Sequence, residues 1–200
     1  LDDIHDERFE FKRVLGECHQ LFHDLQLGSD APRLIVAGGV GSHEQVRHWL
    51  ANGADAVQVG TAFAVTQEGD AHENFKRVLM QADPTKLAEF TSVAGLPARA
   101  VATPWLTRYL RQEKTLQAGA RCDPRRCSQR MDCLTQCGIR DGISRFGQFC
   151  IDLKLAAAMR GEVSRGLFFR GASKLPFGDA MRSVRELMDY LLNGRMPAAA

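Results

Sequence analysis

The sequence lacks a long hydrophobic run. No stretch approaches the roughly 20 consecutive apolar residues that a helix needs to span a bilayer, and no charged segment followed by an apolar one opens the chain. Charge of one sign is scarce as well, because 26 basic and 24 acidic residues leave a formal net charge of +2. So small an excess does not favour nucleic acid as a partner. These absences predict a soluble, cytoplasmic protein that binds neither a membrane nor a nucleic acid.

The composition excludes several non-globular classes of protein. Of the 200 residues, 44% are apolar and 25% are charged, as in ordinary globular proteins. A disordered chain, a collagen and a simple coiled coil are therefore excluded, and the length suits one large domain or two small ones. Because the chain begins with Leu1 rather than methionine, we expect further residues of the gene product to precede it.

Helix and strand patterns alternate in the first third of the chain. Apolar residues recur at threes and fours from Glu7 to Leu25, which predicts an amphipathic helix. The apolar run Leu34–Ala37 predicts a strand buried on both faces, and Ala56–Val59 predicts a second strand. Between them, Ser42 and Gln45 have the spacing of a capping box, which predicts the start of a helix. This order of elements is typical of β/α units with a parallel sheet.

The rest of the chain has a mainly helical pattern. Two parallel strands cannot cover their own apolar faces, so we infer that the chain is a piece of a larger fold. No internal repeat or low-complexity segment is present. Helices are predicted over residues 71–82, 85–92, 106–116, 151–159 and 181–192.

Glycine-rich turns follow both predicted strands. Ala37-Gly38-Gly39-Val40-Gly41 ends the first strand and Gln58-Val59-Gly60-Thr61 ends the second. Glycines at these places let an anion approach the backbone N–H groups, and the helix that begins after Ser42 adds the positive end of its dipole. Two such turns in succession predict a phosphate site, with ordinary tight turns as the alternative. No G-x-G-x-x-G is present, so the Rossmann fingerprint is absent.

These residues carry a resemblance to a known enzyme family. The stretch from Leu34-Ile35-Val36-Ala37-Gly38-Gly39-Val40-Gly41 to Gly53-Ala54-Asp55-Ala56-Val57-Gln58-Val59-Gly60-Thr61-Ala62-Phe63 resembles the end of the barrel in nitronate monooxygenases, formerly called 2-nitropropane dioxygenases. Val93–Ala100 is similar to the GLPGRA segment of that family. The resemblance continues through residues 149–151, 166–169 and 183–187. It covers nearly the whole chain and is most specific over residues 34–63.

The resemblance implies a fold and a chemistry. Nitronate monooxygenases are FMN-dependent TIM barrels, so it implies an α/β fold: the C-terminal part of a (β/α)8 TIM barrel, followed by a mostly helical, cysteine-containing C-terminal extension. The implied activity is that of a flavin-dependent oxidoreductase that oxidises a nitronate or a related small substrate with O2. The implied FMN-binding residues are Gly38, Gly39, Gln58, Val59, Gly60 and Thr61.

Three alternative functions remain open. A flavin-dependent enoyl reductase or NAD(P)H:quinone reductase on the same barrel would share the phosphate turns. A barrel that binds a sugar phosphate or nucleotide phosphate without flavin would share them too. A non-catalytic metal-binding or redox-sensing module would depend on the cysteines instead. The sequence also leaves open whether NAD(P)H takes part and whether the protein forms a homo-oligomer.

The catalytic base that the resemblance implies is not in this chain. In the family it is a histidine of an upstream Gly-Gly-His motif, which this sequence lacks. We therefore expect it in the missing N-terminal half of the barrel, either in the same chain or in a partner. None of the six histidines that are present stands in for it, namely His5, His19, His23, His43, His48 and His72. Surface or packing roles are predicted for His43 and His48, which lie on the helix after the phosphate turn.

Cysteines are concentrated in one arginine-rich segment. Four thiolates can close a zinc site or hold an iron–sulfur cluster, although no C-x-x-C is present. The alternative is a surface excursion with reduced thiols, since nothing here predicts a secreted disulfide scaffold. The candidate metal ligands are Cys122, Cys127, Cys133 and Cys137, with Cys150 as a substitute.

Four segments follow from these patterns. Residues 1–70 are predicted to form the last β/α units of the barrel with the FMN phosphate turns, and residues 71–117 a helical segment. Residues 118–150 are the Cys- and Arg-rich excursion, and residues 151–200 are predicted to contribute C-terminal helices that pack on the barrel.

Overall fold

Helices dominate a mixed α/β fold, which the computed structural model describes over residues 6–128 and 133–198. The chain divides into two compact units. The split unit is described over residues 6–69 and 173–198, and the central unit over residues 70–128 and 133–172. The four segments predicted from the sequence remain a prediction.

The regular elements of the described residues alternate between helix and strand only in the first part of the split unit. That unit contains α1 (Phe11–Asp24), β1 (Ile35–Ala37), α2 (His43–Ala51), β2 (Ala56–Gln58) and α3 (Thr61–Ala64). The central unit contains α4 (Glu73–Gln81), β3 (Ala88–Thr91), β4 (Pro97–Ala100), α5 (Pro104–Ala118) and α6 (Ile151–Met159). Helix α7 (Val184–Asn193) returns to the split unit. Short 3-10 turns span Glu7–Phe9, Gly28–Asp30, Pro84–Lys86 and Pro124–Arg126.

Strands β1 and β2 form the parallel pair that the sequence predicted. Ile35 pairs with Ala56, and Ala37 with Gln58. The expectation that the first strand is buried on both faces is wrong for this chain. Val36 is 5% exposed, but Ile35 is 60% exposed, because the described core lies on one side of the pair.

Helices α2 and α7 start where their sequences dictate. Both begin with a complete capping box, Ser42 with Gln45 and Ser183 with Glu186, so the predicted box at Ser42 is confirmed. Helix α7 ends at Gly194, whose φ of 70° is the left-handed conformation that glycine adopts at little cost. The helices and the strand pair share one core, whose buried members include Leu15, Val36, Val46, Leu187 and Leu191.

The central unit contains a hairpin where a helix was predicted. The prediction of a helix over residues 85–92 is wrong, because Pro84–Lys86 forms a 3-10 turn and Ala88–Thr91 is strand β3. Strand β3 pairs antiparallel with β4, and Phe90 on β3 is buried in the core. On the exposed side of the hairpin, Arg99 donates to Glu89 across the strands at 2.9 Å.

The cysteine-rich segment has little regular structure among its described residues but is packed into the central unit. Ile139, Phe146 and Phe149 are all buried. Gly138 donates its N–H to the carbonyl of Val93 at 3.0 Å, and Gly147 donates to Ser92 at 2.9 Å. The segment is therefore tied to the turn between β3 and β4. Among the described residues, no helix is both long and apolar enough to cross a membrane.

Candidate functional site

The two glycine turns lie side by side at one edge of the parallel pair. Ala37, the last residue of β1, is in register with Gln58, the last residue of β2. Neighbouring strands lie about 4.8 Å apart, so the residues that follow Ala37 and Gln58 leave the sheet next to each other. The sequence predicted each turn separately, and the register brings them together.

The first turn has a backbone that glycine alone adopts easily. Gly38 has a φ of 104° and Gly39 a φ of 72°, both in the region that L side chains rarely occupy. Within the described residues, the N–H groups of Gly39 and Val40 donate to no protein atom. Gly38 and Gly39 are exposed. Val40 is buried, so the turn presents its accessible backbone donor at Gly39, a donor of the kind that binds an anion.

The capping box of α2 uses other donors of the same turn. Gln45 Oε1 accepts the N–H of Gly41 at 2.9 Å and that of Ser42 at 3.1 Å. Ser42 Oγ in turn accepts the N–H of Gln45 at 3.2 Å. This network fixes the entry to α2 and leaves the N–H of Gly39 for a ligand.

Ser173 is part of the site although sequence reasoning missed it. Its hydroxyl donates to the carbonyl of Gly39, and Gln45 Nε2 lies 3.5 Å from the same hydroxyl oxygen. A β-carbon on Gly41 would lie 3.4 Å from the carbonyl oxygen of Lys174. Ser173 and Lys174, where the chain re-enters the split unit, therefore lie against the first turn. The bond from Ser173 holds the carbonyl of Gly39 in place.

The residues of the second turn differ in what they can offer a ligand. Gln58 and Gly60 are exposed, and a β-carbon at Gly60 would meet no protein atom within 4 Å. The side chain of Val59 packs against the core, so only its backbone is left for a ligand. Thr61 is half-buried at the start of α3. The free space lies at Gly60, where a ligand must approach if the turn binds one.

The described histidines serve the fold. His43 Nδ1 lies 3.0 Å from the carbonyl oxygen of Leu191, and His19 Nε2 lies 2.8 Å from that of Gly53. His72 caps α4 by accepting the N–H of Asn74 at 3.1 Å. His48 packs edge-on against Trp49, His23 lies beside Asp24, and His5 lies outside the described residues.

The structure does not support the metal site predicted at Cys122, Cys127, Cys133 and Cys137. Among the described residues, no group of three or more histidine, cysteine, aspartate or glutamate side chains is arranged to hold a metal ion. Cys122 is exposed and donates its thiol to the carbonyl of Arg140 at 3.2 Å, whereas Cys137 is buried. The substitute, Cys150, caps α6 by its position without a side-chain hydrogen bond. All six cysteines lie in the described residues, and none of them forms a disulfide bond.

The environment of Cys133 predicts that its thiol reacts slowly with alkylating reagents. Desolvation raises its pKa, and the nearby thiols of Cys137, Cys127 and Cys150 raise it further. Because the thiolate is the reactive form, we expect iodoacetamide at neutral pH to alkylate Cys133 several-fold more slowly than a cysteine in a short peptide. Peptide mapping by mass spectrometry measures this rate, with Cys133→Ser to identify the peptide. An alkylation rate equal to that of the peptide would contradict the prediction.

The sequence matches one protein family over most of its length. The model of that family, described as nitronate monooxygenase, matches residues 14–194. "Putative nitronate monooxygenase" of Saccharomyces cerevisiae is 35% identical over 99 residues, which are 50% of this chain and 24% of the yeast protein. "Probable nitronate monooxygenase" of Bacillus subtilis is 33% identical over 73 residues, which are 36% of this chain and 21% of that protein. The matched region thus spans about a quarter of these curated relatives or less.

Solved structures share the fold at low sequence identity. FabK from Thermotoga maritima is 22% identical with a TM-score of 0.54, over 80% of this chain and 43% of the FabK chain. Nitroalkane oxidase from Streptomyces ansochromogenes is 20% identical with a TM-score of 0.54, over 89% of this chain and 42% of the oxidase chain. At such identities the likeness concerns the fold alone.

Proposed function

Because the chain belongs to the nitronate monooxygenase family, we propose that it is the C-terminal part of an FMN-dependent oxidoreductase that oxidises a nitronate or a related small substrate with O2. The observation that carries the proposal is the pair of glycine turns at one edge of the parallel sheet, within the region that matches the family. Ligands of parallel α/β sheets bind at the carboxyl ends of the strands. The two turns stand at that end.

The proposed ligand of these turns is the phosphate of FMN. Gly38, Gly39, Gly60 and Thr61 would hold it through their backbone, next to Gln58 and Val59. The N–H of Gly39, which no described protein atom accepts, and the open space at Gly60 fit an anion that approaches the backbone closely. FMN, when bound, supplies the electron transfer between substrate and oxygen. The chain's own part is to bind and orient the phosphate end of the cofactor.

The proposed architecture is that of the last β/α units of a TIM barrel. Ile35 lies on the face of β1 that points away from the described core, and it is 60% exposed. In a closed barrel, the side chains of the remaining strands would fill the interior and cover this face. In this proposal those strands and the catalytic histidine are contributed by the N-terminal half of the barrel.

A carboxylate near the proposed phosphate allows a test in which its removal should tighten the binding of FMN. Glu44 is in the first turn of α2, where its own N–H and Ser42 hold its pKa below the ordinary value. We expect Glu44→Gln to tighten FMN binding about two- to fivefold, because it removes a negative charge from the end of the helix that faces the phosphate. Titration of the flavin-free protein with FMN, followed by flavin fluorescence, measures the affinity. The matched control is Glu73→Gln in the first turn of α4, and unchanged or weaker binding by Glu44→Gln would count against the proposed phosphate position.

The experiment that tests the function is a visible spectrum of the full-length protein followed by a nitronate assay. Paired flavin bands that bleach on addition of dithionite are expected, together with oxygen uptake on a small nitronate without NAD(P)H. Flavin bands with turnover only in the presence of NAD(P)H would favour an enoyl or quinone reductase instead. A colourless full-length protein would contradict the FMN proposal.

A further inference from the structure

The peptide that follows Gly39 could face a ligand in two ways. Gly38 and Gly39 have φ values of 104° and 72°, and glycine passes between backbone conformations at little cost. In one orientation of this peptide the carbonyl oxygen of Gly39 points toward a ligand at the turn, and in the other it points away, because the carbonyl and the N–H of a trans peptide lie on opposite sides. A carbonyl oxygen repels an anion, so the turn receives a phosphate well in the second orientation alone.

Ser173 holds this carbonyl from the other end of the chain. Its hydroxyl donates to the carbonyl of Gly39. Apart from the neighbours of Gly39 in the sequence, Ser173 Oγ is the one described atom within 4 Å of a β-carbon placed on Gly39, at 3.5 Å. Among the described side chains, the orientation of this peptide therefore depends on Ser173.

Gln45 determines where the single proton of the Ser173 hydroxyl goes. Gln45 Oε1 accepts the N–H groups of Gly41 and Ser42 at 2.9 and 3.1 Å, which fixes the direction of the side-chain amide. Gln45 Nε2 then lies 3.5 Å from Ser173 Oγ, and an amide nitrogen offers protons but no acceptor. The Ser173 proton therefore points away from Gln45 and toward the carbonyl of Gly39.

The core of the split unit holds Ser173 in place. Leu175 and Phe177, which follow it, pack against that core, and the ring of Phe177 is edge-on to that of Tyr190 with the centroids 5.6 Å apart. Ser173 is thus anchored independently of the glycine turn. An anchored hydroxyl can impose one orientation on a flexible peptide, because its own position does not follow the peptide.

We propose that Ser173 is a positioning residue for the phosphate of FMN, an inference that rests on the proposed function. Ser173 keeps the carbonyl of Gly39 bound to the protein, and the first turn stays in the form that receives an anion. Without the hydroxyl, the peptide after Gly39 is free to turn its oxygen toward the phosphate. Riboflavin has no phosphate, so its binding does not depend on Ser173.

Titration of the flavin-free, full-length protein with FMN and with riboflavin tests the proposal. Ser173→Ala is expected to weaken FMN binding about tenfold and to change riboflavin binding by less than about twofold. Ser173→Thr keeps the hydroxyl and should restore the affinity for FMN to within about threefold of that of the parent protein. The matched control is Ser29→Ala, at an exposed serine of the 3-10 turn Gly28–Asp30 in the same unit, which should leave both affinities unchanged.

A second variant tests the direction of the Ser173 proton. Gln45→Glu keeps an acceptor for the capping box but replaces Nε2 with an oxygen that competes with Gly39 for this proton. Because the variant also adds a negative charge, it is combined with Ser173→Ala in a double-mutant cycle. If both residues act through one hydroxyl, the double variant should bind FMN at least about threefold more tightly than the product of the two single losses predicts.

The outcomes separate this inference from the proposed function. Equal losses of FMN and riboflavin affinity in Ser173→Ala would overturn the inference, because they would mean a general structural defect. Unchanged FMN affinity in this variant would overturn it as well, and losses that simply multiply in the cycle would overturn the role given to Gln45. In each of these cases the parent protein still binds FMN, and the proposed function stands. A full-length parent protein that binds no FMN would overturn both.

Discussion

Gly60→Leu is expected to remove FMN from the protein while leaving the fold in place. Gly60 has φ −109° and ψ −70°, which any L residue adopts, and a β-carbon there meets no protein atom within 4 Å. The new side chain would instead fill the space through which the phosphate reaches the backbone. Loss of charge-assisted hydrogen bonds to a phosphate corresponds to about a 10- to 100-fold weaker affinity. Flavin absorbance per protein after desalting measures the loss.

The control for this variant is Gly16→Leu, the same exchange at a helical glycine that also has open space around it. It should keep the full flavin content. The melting temperature separates binding from folding, because replacement of a glycine at an N-cap costs about 1 kcal/mol at most in this setting. Full flavin retention by Gly60→Leu, with both variants folded, would place the phosphate somewhere other than the second turn.

The parts of the fold that sequence predicts well are those set by local chemistry. Ser42 and Gln45, three residues apart, predict the start of α2, and the structure has that capping box. The prediction of a helix over 85–92 was wrong. Pro84 is a residue that can start a helix, but Ala88–Thr91 instead pairs with Pro97–Ala100, and that pairing depends on a turn and a shared core. Sequence periodicity over a few residues does not contain that information.

The candidate site divides in the same way. Both glycine turns are visible as motifs after apolar runs, so Gly38, Gly39 and Gly60 could be named from the sequence. Ser173 could not, because it reaches the carbonyl of Gly39 from 134 positions away along the chain and no local pattern marks it. Residues that act through long-range packing need the structure.

Gly138→Ala is expected to destabilise the protein strongly, although Gly138 lies in a segment that the sequence marks only as an excursion. A β-carbon at this position would overlap the carbonyl oxygen of Gly147 and lie 3.0 Å from the β-carbon of Phe146. Neither backbone can move away freely, because Gly138 and Gly147 donate to the neighbouring carbonyls of Val93 and Ser92. Overpacking of this kind costs about 3 kcal/mol, which corresponds to a fall in melting temperature of roughly 10 °C.

Thermal unfolding followed by circular dichroism measures the effect, and Gly119→Ala is the matched control in the same unit. Gly119 caps α5 at a φ of −90°, and its β-carbon would lie at an ordinary 3.5 Å from the carbonyl oxygen of Thr115. The control should therefore melt within about 2 °C of the parent protein. Equal melting temperatures for Gly138→Ala and Gly119→Ala would mean that Gly138 and Gly147 are not in contact. A large difference between them would establish the cysteine-rich segment as a packed part of the central unit, because a mobile surface loop would accept one methyl group at either position.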